Sequence, residues 1–174
     1  MTIQQMILVT CGYMVVLVAV VYFTRATARR VIGALVGGFA AGLFGLGAIA
    51  LCEVLDWWRV PLTSTPYART LLYICLSITL IPIYPVTWRV ARRFGRRGLA
   101  IFIGIVTVVG PPRDYLYAAL FPEWMVFAPG VAPILADAVT YAGIVALGHA
   151  AMRIIAGPAR EDGLARHPKE TSGS

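Results

Sequence analysis

Apolar residues along the chain run in five long blocks, roughly 4–23, 31–52, 68–88, 99–121 and 131–154, and most charged residues fall between them. Each block is close to the ~20 residues that cross a bilayer core at 1.5 Å per residue. A helix of a soluble protein keeps a polar face, and these blocks mostly lack one. Within lipid the backbone must satisfy its own hydrogen bonds, which favours helices. A membrane β-barrel would need short alternating segments, and none is present. The pattern predicts an all-α, polytopic integral membrane protein: one five-helix transmembrane domain over residues 1–156. Residues 157–174 are polar and rich in Gly, Pro and charge, and they read as a disordered cytoplasmic tail.

Composition agrees. Of 174 residues, 59% are hydrophobic and 13% charged, against roughly 45–50% and about 25% in soluble domains. The net charge of +7 would suggest nucleic acid if it were evenly spread, but it is not. Arg25, Arg29, Arg30, Arg89, Arg92, Arg93, Arg96, Arg97, Arg153, Arg160, Arg166 and Lys169 fall on one side of the expected membrane, with Glu161, Asp162 and Glu170, a net +9. Arg59, Arg69 and Arg113 fall on the other side with Glu53, Asp56, Asp114, Glu123 and Asp137, a net −2. Cytoplasmic loops collect Arg and Lys, so the N-terminus is expected outside and the C-terminus in the cytoplasm, in a prokaryotic-type inner membrane. The basic loops are topology determinants facing membrane lipids, and a nucleic-acid partner is not expected. Ala26-Thr27-Ala28 resembles a signal-peptide cleavage site. No positive charge precedes the first block, however, and its apolar run is too long, so an uncleaved helix is expected. Cys11, Cys52 and Cys75 lack metal-like spacing and read as buried small hydrophobes.

The second block carries Gly33, Gly37, Ala41 and Gly45 every four positions, with Gly38 and Gly42 alongside, and the fifth carries Ala138, Ala142, Ala146 and Ala150. Such stripes allow close helix packing. Packing within one monomer is favoured, with a homo- or hetero-oligomer seam on helix two as the alternative. These glycines lie inside an apolar run rather than after a strand, so they do not form a phosphate cradle. Pro82 and Pro85 should bend helix three. Gly110-Pro111-Pro112 removes two consecutive donors and should break helix four, and irregular backbone at that depth needs protein or a wet cavity around it. Trp57, Trp58, Trp88 and Trp124 are expected at headgroup level.

The polar residues around that break are the candidate chemistry. Arg113 and Asp114 lie about 22–24 Å from the inner end of helix four at 1.5 Å per residue. Asp137 lies roughly 9 Å below the outer end of helix five, with Tyr141 one turn further in. Glu53 and Asp56 end helix two. Ionisable groups within hydrocarbon cost several kcal/mol and are functional candidates by default. Arg113 is the natural partner of Asp137 or Asp114, and an ion-paired lock between helices four and five is the structural alternative. The functional reading takes Asp114, Asp137, Arg113, Tyr141, Glu53 and Asp56 as the site. It uses two carboxylates in unlike surroundings: one protonates an alkene or ether of a lipid-soluble substrate, and the other holds the developing cation or takes a proton back. With Tyr115, Tyr117 and Phe121 nearby, a hydrophobic small molecule such as an isoprenoid would fit. This is cyclase-like chemistry by analogy, with no motif placing the chain in such a family.

No cofactor or metal is expected. His149 and His167 are the only histidines, too few for a diiron or zinc site, and His149 reads as a snorkelling or hydrogen-bonded interfacial group. Ser77 and Thr79 lack a base and should bond backbone. The same charges also suit a non-enzymatic membrane subunit, a small transporter component or an assembly scaffold. A transporter usually shows paired repeats, which are absent here.

Overall fold

The computed structural model describes residues 3–61 and 66–157, and the expected tail lies outside the described residues apart from Gly157. The fold is all-helical apart from one small ribbon. Its elements in order are α1 (Ile3–Thr24), α2 (Ala28–Val54), β1 (Trp58–Arg59), α3 (Pro66–Leu80), α4 (Ile83–Leu120), β2 (Val126–Phe127) and α5 (Val131–Ala156). Among the described residues, four helical stretches are long and apolar enough to cross a membrane: Gln4–Thr24, Ala28–Val54, Tyr67–Leu120 and Val131–Ala156. Large apolar side chains stand exposed along all of them, among them Val15, Leu43, Val108 and Ile154, as helices facing lipid require.

The long third stretch is interrupted twice. Ile81 and Pro82 form a turn between α3 and α4. Pro82 supplies a φ of −60° at the start of α4, and Pro85 falls in its first turn, where a missing N–H breaks no helical bond. The second interruption is Gly95, at φ 67° and ψ −157° inside α4, a conformation essentially reserved for glycine. It divides α4 into a first arm, 83–94, and a second arm, 96–120. The expected break at Gly110-Pro111-Pro112 does not occur, because the helix continues through both prolines. Proline's own φ is helical, so the pair removes donors without forcing the chain off its path.

The two arms run in opposite senses along α5. In the first, Tyr84 donates to the Ile144 carbonyl at 3.1 Å and Thr87 bonds His149 at 3.0 Å, so both numbers rise together. In the second, Gly110 and Asp114 meet Tyr141, while Tyr115 reaches Asp137 electrostatically. One end of the bundle is basic. There Arg29 donates to the Ile155 carbonyl at 2.6 Å, Arg89 donates to the Phe23 carbonyl at 3.1 Å, and the Arg30 guanidinium lies 3.9 Å from the Trp88 ring centre. At the other end β1 and β2 pair antiparallel, Trp58 opposite Phe127 and Arg59 opposite Val126, joining the loop after α2 to the loop before α5.

The core lies between α2, α3, the first arm and α5. Gly33 and Gly37 take α5 against the α2 backbone, at Met152 and Gly148, while Gly38 and Gly42 take Ser77 and Ile81. The small-residue stripe of α2 is thus used within the chain. The alanine stripe of α5 is not its counterpart, since Ala146 and Ala150 are exposed. The packed face carries Ile144, Val145, Gly148, His149 and Met152 instead, because Gly148 lets the two backbones come closest.

Candidate functional site

The second arm brings Arg113 and Asp114 against Tyr141 of α5. The Arg113 guanidinium donates twice to one Asp114 oxygen, at 3.0 and 2.8 Å, and also to the Tyr141 hydroxyl. Tyr141 in turn donates to the other Asp114 oxygen at 2.7 Å. Every polar atom of the Asp114 carboxylate is therefore engaged, and the three groups form a closed ring between two helices. Gly110 makes this possible: a Cβ there would collide with the Tyr141 ring. Arg113 is 51% exposed in its side chain and Asp114 18%, so the ring lies at the surface of the bundle.

Asp137 is placed differently. It is 5% exposed, one turn from Tyr141 on α5, and its Oδ2 has no hydrogen-bond partner. Arg113 pairs with Asp114 and not with Asp137, although both lie within electrostatic reach of it. Cys52 and Tyr115 are also within electrostatic reach of Asp137. The Tyr115 hydroxyl is likewise buried without a partner. Its ring stacks on Phe127, centroids 4.1 Å apart, and Phe127 meets Trp58 edge-on at 5.7 Å. Trp58, 2% exposed, has its indole nitrogen buried and unbonded too. Buried polar atoms without partners are rare in native folds, and an unpaired carboxyl oxygen is among the costliest. Asp137, Tyr115 and Trp58 contribute three such atoms from α5, the second arm and β1.

The remaining expected site residues have other partners. Glu53 accepts from the Val60 backbone N–H at 3.2 Å and so orders the turn into β1. Asp56 sits at φ 53°, a backbone region Asp tolerates, and pairs with Arg59 at 2.9 Å on the surface. Tyr117 and Phe121 stack on one another at 6.4 Å as exposed residues. Trp58, Phe127 and Cys52 join the site without having been singled out for it. Two adjacent tryptophans in a loop give no hint which one turns inward, and the two-residue ribbon that decides it is too short to show as a strand pattern.

The half of the bundle toward the basic end is filled. Tyr84, Ile81, Val145, Met152, Thr87 and Ser77 are fully buried. His149 is buried and hydrogen-bonded to Thr87, and Trp88 is buried under the Arg30 guanidinium. Ser77 and Thr79 donate to the carbonyls of Tyr73 and Leu76, at 2.7 and 2.8 Å. Cys52 and Cys75 are buried, whereas Cys11 is exposed. Among the described residues no group of three or more His, Cys, Asp and Glu is placed to hold a metal ion. Comparison with protein-family models, curated proteins and solved structures finds no match in any of the three.

Proposed function

We propose that the chain crosses an inner membrane five times, N-terminus outside and C-terminus cytoplasmic, and that its outer half performs acid–base chemistry on a lipid-soluble, isoprenoid-type substrate. The stretch Tyr67–Leu120 has 54 residues, about 80 Å of helix at 1.5 Å per residue against a bilayer core of ~30 Å. The redirection of the chain at Gly95 supports reading it as two crossings. The arginine-rich ends then face the cytoplasm.

One observation carries the chemical reading: two carboxyls on adjacent helices have opposite surroundings. Both Asp114 oxygens accept hydrogen bonds, from Arg113 and Tyr141, while Asp137 is buried with an unbonded oxygen. Asp137 is then the proton donor to an alkene or ether. Asp114 stabilises the cation formed or accepts a proton from it. The exposure of Arg113 suits a substrate arriving from the membrane, whereas the filled inner half disfavours passage through the bundle.

The test is isoprenoid lipid profiling by mass spectrometry of cells producing wild-type protein, Asp137→Asn or Asp114→Asn. The expected result is a lipid product present with wild type and lost with both variants at equal protein levels in the membrane. Loss of both variants from the membrane in step with the product would instead support a second reading. In that reading the closed Arg113–Asp114–Tyr141 ring locks α4 to α5 in a scaffold or complex subunit. An unchanged profile with wild type would overturn the enzymatic reading.

A further inference from the structure

The reversal at Gly95 has a surface consequence far from the acidic site. Where the two arms of α4 diverge they leave an open groove of about 460 Å³. Val90 and Phe94 line it from the first arm, and Ile101, Phe102 and Ile105 from the second. Gly98 forms part of its floor, with the Phe94 side chain seated where a Cβ would stand. Arg97 is the single charged residue of the lining. The groove therefore starts at the basic end and runs from Arg97 to Ile105, about 12 Å along the helix, which in the proposed topology leads from headgroup level into hydrocarbon.

The neighbouring charge has one sign. Arg89, Arg92, Arg93, Arg96 and Arg97 lie within nine residues, with no acid among them. Arg89, Arg92 and Arg93 are occupied by the Phe23 carbonyl and the rings of Trp88 and Phe94. Arg96 and Arg97 make no hydrogen bond or ion pair among the described residues, and both are exposed. An apolar channel bordered by the aliphatic stem of an exposed arginine, whose charged head is uncommitted, matches an acyl chain that ends in a phosphate.

We propose that this groove is a binding site for an anionic glycerophospholipid, one acyl chain lying between Phe94 and Ile105 and the headgroup phosphate on Arg97. The site discriminates by charge at its mouth, because any phospholipid could supply the chain.

Native mass spectrometry of the detergent-purified full chain, titrated with phosphatidylglycerol or phosphatidylcholine, tests this. Wild type should retain phosphatidylglycerol in preference. Arg97→Gln should weaken that retention about fivefold, the effect of one interfacial arginine. Ile101→Trp, at a lipid-exposed position, should fill the channel and weaken retention of both lipids without unfolding the protein. Arg96→Gln removes the same charge from a residue outside the lining and should have little effect. Equal losses in Arg96→Gln and Arg97→Gln would mean diffuse attraction to the basic loop and overturn the proposal. Equal retention of the two lipids by wild type would overturn it too, as would displacement of phosphatidylglycerol by millimolar inorganic phosphate.

Discussion

At the residue scale, the Tyr141 hydroxyl stands between a guanidinium and a carboxylate, accepting from Arg113 and donating to Asp114. Its ring occupies the notch left by Gly110. Both contacts tie α5 to the second arm, but they are separable. Tyr141→Phe keeps the ring and removes the bridge, and should cost about 0.6–2 kcal/mol of stability, the range for interhelical hydrogen bonds in membranes. Unfolding of the purified protein in mixed micelles measures it. A loss indistinguishable from zero would mean that the hydroxyl holds Asp114 for chemistry and contributes nothing to the fold. Asp137 poses the opposite case. Its partnerless Oδ2 is a cost that the fold carries, so Asp137→Asn should leave stability unchanged or raise it while product formation disappears. A buried group whose removal stabilises the protein is retained for what it does.

At the scale of elements, α4 shows two ways of handling a helix breaker. Pro111 and Pro112 remain inside the second arm because their φ is already helical and a glycine beside them relieves packing. Gly95 alone redirects the chain, since its φ of 67° with ψ of −157° is open only to a residue without a Cβ. Gly95→Ala should therefore cost about 1–3 kcal/mol, seen as a lower unfolding temperature. Gly104→Ala on the same helix faces open space and should cost nothing. Equal effects of the two substitutions would show that the reversal does not depend on Gly95. The glycines of α2 act differently. They keep helical dihedrals and are needed for proximity, with Gly37 against the Gly148 carbonyl and Gly42 against Ser77. The partner face on α5 has to be defined by shape, so it falls on Gly148 and its neighbours and leaves Ala146 and Ala150 exposed.

At the scale of the whole molecule, the two ends of the bundle differ in charge and in construction. Backbone carbonyls and aromatic rings absorb arginines at one end, through Phe23, Ile155 and Trp88. A two-strand ribbon closes the other over Trp58 and Phe127. Five crossings predict that a cysteine at position 96 and one at position 59 react with membrane-impermeant maleimide from opposite faces, in a chain whose three native cysteines are alanine. Labelling of both from one face would overturn the topology and, with it, the assignment of the acidic site to the outer leaflet. Between these ends the centre is packed with fully buried side chains, Tyr84 and Met152 among them.

Hydrophobic block length alone determined that the chain is helical, with helices long and apolar enough to cross a membrane, because a bilayer demands runs of a set length whatever their neighbours. Charge placement likewise sorted the basic loops from the acidic ones, and chain order brought Arg113 and Asp114 to a helix adjoining that of Asp137. Tertiary structure decided which acid is paired. Asp114 and Asp137 are equally acidic and similarly deep in the sequence, and only the rotation of α5 against the second arm gives Tyr141 to one and leaves the other unbonded. It also gave Glu53 and Asp56 partners in a turn and a surface pair, and set Phe127 between Tyr115 and Trp58. These outcomes depend on contacts between residues tens of positions apart, which helix rotation and a two-residue ribbon set and which no local spacing encodes.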